Sequence, residues 1–84
     1  MDQEIIKDLK FFRKKYHLSR FSWDVTIDLI IRLGAPDKDG LEDTIKGKLT
    51  PAESERMTRL CGFMADMIAK YGKEEVIRQI EDAA

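Results

Sequence analysis

Residues 50–72 read TPAESERMTRLCGFMADMIAKYG, and this stretch decides the fold. Thr50 is an N-cap residue whose hydroxyl accepts from an early backbone N–H, and Glu53, three positions on, can reach back to the N–H of the cap. Pro51 falls at the first helical position, where a missing N–H costs nothing. Gly72 supplies the left-handed residue that closes a last turn. Together these signals predict a helix over about 51–71, roughly 31 Å long at 1.5 Å per residue. On its wheel Met57, Leu60, Cys61, Met64, Met67, Ile68 and Tyr71 share one broad apolar arc, with Phe63 at its margin. Ser54, Thr58, Gly62, Ala65 and Ala69 form a second side made only of small residues, which lets another backbone approach closely. Contact on two sides is therefore expected, from the chain itself or from a partner, and a homodimer is one form such contact would take.

The rest of the chain supplies partners for this rod. Asp2 caps a first helix over 3–16, on which Ile5, Leu9, Phe12 and Tyr16 recur at helical spacing and Ile6 widens the face. Phe11 lies off that face, near Lys7, Lys14 and Lys15. Around His17-Leu18-Ser19 the pattern breaks. A second helix is predicted from Ser22 to Leu33, stopped by Gly34 and Pro36. Asp24, Asp28 and Arg32 form its polar strip, and Trp23, Val25, Ile27, Leu29, Ile30, Ile31 and Leu33 fill the remainder, so it reads as largely buried. Residues 35–49 are a polar connection in which Leu41 and Ile45 anchor one or two helical turns ended by Gly47. A short last helix follows Gly72, with Val76, Ile77 and Ile80 inward. The fold class is all-α: a small four- to five-helix bundle, one domain over residues 1–84.

Composition narrows the function. Charged residues make up 37% of the chain and the net charge is −1, so bulk electrostatics do not make it a polyanion binder. No apolar run approaches the ~20 residues of a membrane span, and there is no signal-peptide pattern, so a cytoplasmic protein is expected. The single cysteine excludes an internal disulfide and suits a reducing compartment.

Chemical motifs fail on inspection. Asp37-x-Asp39-Gly40 suggests a calcium loop, but Ala35 then occupies the first ligand position and Lys46 the last. Gly47-Lys48 lacks the glycine spacing and the Ser/Thr of a phosphate loop. One histidine and one cysteine, His17 and Cys61, do not make a zinc site or a nucleophile pair. No catalytic residue, metal or cofactor is expected, and the chain is read as a non-enzymatic module. Met57, Met64 and Met67 read first as core filler and second as an adaptable groove.

The positive signal is charge distribution. Lys7, Lys10, Arg13, Lys14, Lys15 and Arg20 cluster between residues 7 and 20, opposed there only by Asp8. With Phe11 among them, this region can seat on an acidic protein surface or grip phosphates. The expected partner-binding residues are Lys7, Lys10, Phe11, Lys14 and Lys15, followed by Arg56, Arg59 and Phe63, because an aromatic among cations is the kind of anchor interfaces favour. A small nucleic-acid-binding transcriptional regulator using this basic helix is the alternative. As a DNA reader the second helix is poor, since it offers few polar groups to base edges.

The run Gly47-Lys48-Leu49-Thr50-Pro51-Ala52-Glu53-Ser54-Glu55-Arg56-Met57-Thr58-Arg59-Leu60 resembles the segment that opens the toxin-binding region of Xre/ParS-type bacterial antitoxins. That resemblance implies a small microbial or phage regulator that inhibits a partner protein through helix contacts, often alongside DNA binding. It covers about a sixth of the chain, and much of it is helix-start chemistry any helix can share. The residues downstream depart from the family's pattern.

Overall fold

Thr50 accepts a hydrogen bond from the Glu53 N–H, and the Glu53 carboxylate accepts one from the Thr50 N–H, so the long helix opens on a complete capping box. In the computed structural model, which describes residues 2–83, this helix runs Pro51–Tyr71 and is α4. Ahead of it come α1 (Gln3–Lys15), a single 3-10 turn at Leu18–Arg20, α2 (Trp23–Leu33) and α3 (Asp39–Ile45); α5 (Lys73–Ala83) follows. The molecule is an all-α bundle of about 30 × 24 × 19 Å, and among the described residues no strand occurs. Among the described residues, no helix is long and apolar enough to cross a membrane.

α4 is the element against which α1, α2 and α5 all pack. Met57, Leu60 and Met64 are fully buried from its apolar arc. Against them lie Ile6, Leu9, Phe12 and Tyr16 of the first face, Ile27, Ile30 and Leu33 of α2, and Val76 and Ile80 of α5. Leu18 of the 3-10 turn joins the same core.

Ion pairs tie the outer edges of these contacts. Lys15 of α1 reaches Glu53 of α4 at 2.5 Å, and Asp8 of α1 pairs with Arg56 of α4. Lys38, before α3, donates to the Ser54 hydroxyl at 2.6 Å. Lys73, at the start of α5, sits between Asp24 and Asp28 of α2 at 2.7 and 2.8 Å. The polar strip read on α2 is thus the acidic half of an interhelical tie.

Two expectations change. The second helix is only half covered: Thr26, Ile27, Ile30 and Leu33 are buried, while Val25 is exposed and Trp23, Leu29 and Ile31 are intermediate. One face of an eleven-residue helix suffices for a core this small. The chain covers the long helix on one side only, because Thr58, Gly62, Ala65 and Ala69 are exposed and a Cβ on Gly62 would meet nothing within 4 Å. The second change is at the end of α3, where Lys46, not Gly47, is left-handed, at φ 55° and ψ 50°. Gly47 serves a different purpose: a Cβ there would lie 2.6 Å from Cε1 of the buried Tyr16 ring.

Candidate functional site

Where α1 ends, its chain turns through His17, which holds a left-handed backbone at φ 55° and ψ 40°. That turn sends the 3-10 segment back along α1 and starts α2 beside it. Arg13 locks the arrangement. Its Nη2 donates to the carbonyls of Ser19 (3.2 Å) and Phe21 (2.9 Å), and its guanidinium lies 4.0 Å from the centre of the Trp23 ring. Thr26 bonds back to the Ser22 carbonyl at 2.8 Å, which fixes the first turn of α2.

The result is an open groove of about 470 Å³ lined by Lys10, Arg13, Lys14, His17, Ser19 and Trp23. No carboxylate lines it. On the other side of His17 a second groove, of about 490 Å³, is lined by Tyr16, His17, Arg20, Thr44, Ile45 and Lys46, again without a carboxylate. Two other surface depressions mix both signs of charge, as in the one formed by Glu4, Asp8, Arg56 and Arg59.

The residues expected from sequence fall into three groups. Lys10 and Lys14 are exposed, are in no ion pair among the described residues and line the first groove. Lys7 is exposed and lies 3.7 Å from Glu4, a contact that solvent screens. Lys15 and Arg56 are engaged in holding α1 to α4, through Glu53 and Asp8. Phe11 is 38% exposed, packs edge-on against Phe12 and carries the Arg56 guanidinium 5.2 Å from its ring centre. Arg59 is exposed and Phe63 half-buried, both away from the grooves. Arg13, His17, Ser19, Arg20, Trp23 and Lys46 join the site without being among the contact residues expected from sequence. The signal that finds most of them is the run Lys10–Trp23, which contains no acid and carries Phe11, Phe12, Tyr16, Phe21 and Trp23.

The antitoxin-like run at 47–60 forms the junction of three elements. Gly47 sits under Tyr16, Thr50 and Glu53 build the cap, Ser54 receives Lys38, Arg56 receives Asp8, and Met57 and Leu60 enter the core. Those residues therefore serve the fold itself, while Lys48, Glu55, Thr58 and Arg59 remain exposed. The chain matches no family model, no curated protein and no solved structure.

Titration behaviour follows from these contacts. Hydrogen bonding from Lys15, then from the Thr50 N–H, lowers the Glu53 carboxyl to about 2. Burial, then the carboxylates of Glu42 and Glu53, raises the Tyr16 phenol to about 12, so it stays neutral across the working range. Burial likewise raises the Cys61 thiol to about 11, and its Sγ lies 2.9 Å from the Ile30 carbonyl oxygen, so it is a packed group and a poor nucleophile.

For Glu53 the folded value lies below the unfolded one, about 4.3. Its contribution to stability is therefore complete above that pH and disappears as the pH falls toward 2. In thermal melts Glu53→Gln is expected to lie below the parent at pH 7 and to converge with it near pH 2. A gap that persists unchanged into acid would assign the loss to something other than the carboxylate.

Proposed function

We propose that the protein is a non-enzymatic interaction module, an antitoxin-like regulator of microbial or phage type that binds a partner protein and controls it by occupying its surface. The observation that supports this reading is the contrast among its cations. Lys15, Arg56, Lys73 and Arg78 are engaged by carboxylates of the same chain, whereas Lys10 and Lys14 project from α1 beside a tryptophan, in a groove that no acid lines. Unpaired cations around an aromatic supply both the steering and the anchor of a protein interface. The resemblance of residues 47–60 to the opening of an antitoxin's toxin-binding region points to the same class of activity. Self-association through the uncovered small-residue side of α4 is compatible with it.

The test is capture. The immobilised chain should retain a partner protein from a lysate of its native cell, and Phe11→Ala combined with Lys14→Ala should reduce retention while the helical circular dichroism stays unchanged. Undiminished capture by the double variant would show that this face is not the contact surface.

A further inference from the structure

The two grooves that flank His17 have one property in common that the depressions at Tyr71–Arg78 and at Glu4–Leu60 lack. Their linings bring together Lys10, Arg13, Lys14, Arg20 and Lys46, from α1, the 3-10 turn and the end of α3, and no carboxylate. Elsewhere, cations and acids that meet across helices are paired. Positive charge gathered in two depressions that share His17 attracts a ligand with negative charge distributed along its length.

We propose that these grooves form one track, crossing His17, for an extended acidic segment of a partner protein. This rests on the reading of the cationic end as a protein-binding surface and adds the chemistry of what it takes. A peptide fits better than a single nucleic-acid strand because each nearby ring already carries a guanidinium over one face. The guanidiniums of Arg13, Arg20 and Arg56 lie 4.0, 4.8 and 5.2 Å from the ring centres of Trp23, Phe21 and Phe11. Stacking platforms for bases are open rings; these each hold a cation on one side. Carboxylates, in contrast, need only the outward N–H groups of the lysines and arginines. Arg13 is held by two carbonyls and the Trp23 ring, so little side-chain freedom is lost when a carboxylate meets it.

The only tryptophan of the chain, Trp23, lies in the first groove and reports occupancy directly. The probe is a fluorescein-labelled peptide of about ten residues, alternating Glu and Asp around one Leu, which spans ~33 Å when extended and so exceeds the longest dimension of the molecule, 30 Å. Its anisotropy gives affinity, and the unlabelled peptide is followed by Trp23 emission. Saturable binding that shifts Trp23 emission and weakens as salt is raised is the expected result. Both Lys10→Ala/Lys14→Ala and Arg20→Ala/Lys46→Ala should weaken binding about tenfold or more. The same peptide with Gln and Asn in place of the acids should not bind.

Equal binding of the neutral peptide, or tighter binding of an oligothymidylate of equal charge, would overturn the proposal. An Arg20→Ala/Lys46→Ala variant that binds like the parent would also overturn the joined track, while leaving protein capture through α1 standing. Loss of partner capture in the Phe11→Ala/Lys14→Ala chain, together with an unaffected peptide titration in both groove variants, would likewise separate the two claims against the track.

Discussion

Phe12→Ala is expected to remove a large share of the stability of the domain, whereas Phe11→Ala, one residue earlier, is expected to cost about 1 kcal/mol. Phe12 is fully buried and Phe11 is 38% exposed. Truncating a buried phenylalanine costs about 3–5 kcal/mol, from lost transfer energy and from the cavity left behind. A chain of this length is stable by roughly 4–13 kcal/mol, so the deletion takes a large share. The melting temperature should fall on the order of 20 °C for Phe12→Ala, at the 4–8 °C per kcal/mol typical of this size. Denaturant melts of the two variants decide the matter. Equal losses would mean that α1 does not turn its Leu9 and Phe12 face toward α4.

Gly47→Ala is expected to destabilise by about 1–3 kcal/mol, and Gly62→Ala to stabilise by up to about 1 kcal/mol. The two substitutions add the same methyl group in opposite surroundings. At Gly47 the new Cβ would lie 2.6 and 2.8 Å from Cε1 and Cδ1 of Tyr16, a residue that is 2% exposed. Gly62 faces open space on the outer side of α4, where alanine improves helix propensity without touching anything. In a Tyr16→Leu background the penalty at position 47 should shrink, and a double-mutant cycle measures that coupling. A neutral Gly47→Ala would mean that the Tyr16 ring does not require a glycine at position 47.

How much of this is legible in the sequence divides by range. The capping box of Thr50 and Glu53, the stop at Gly72 and the cap at Asp2 are decided within a few residues, and each forms as the local pattern dictates. The buried faces of α1, α4 and α5 are periodic and equally accessible. Local rules make Gly47 the residue that ends a helix. Its actual constraint comes from Tyr16 on α1, distant in sequence, and the left-handed position falls to Lys46. Local rules see φ but not a distant ring. The exposure of Val25 escapes them for a related reason, since an apolar residue on a short helix is buried only if a neighbour arrives to cover it.

The candidate site is half visible. Lys10 and Lys14 follow from the charge run in α1, and both line the first groove. Trp23, Arg13 and His17 become part of it only through the left-handed turn and the Arg13 bonds to the Ser19 and Phe21 carbonyls. Lys46 arrives from α3, which no spacing rule connects to α1. Conversely, Lys15 and Arg56 look like free cations in the sequence because their partners Glu53 and Asp8 lie far along the chain.

These contrasts converge on one surface: the end of α1 and the turn after it, left unpaired while charges between the helices are neutralised within the fold. Its most direct test is the amide spectrum of the isotope-labelled chain during titration with the acidic peptide. Shifts should be largest from Lys10 to Trp23 and around Thr44 to Lys46, with the outer side of α4 unmoved. Shifts concentrated instead at Thr58, Gly62, Ala65 and Ala69 would contradict it and place the binding surface on the opposite, small-residue side of the long helix.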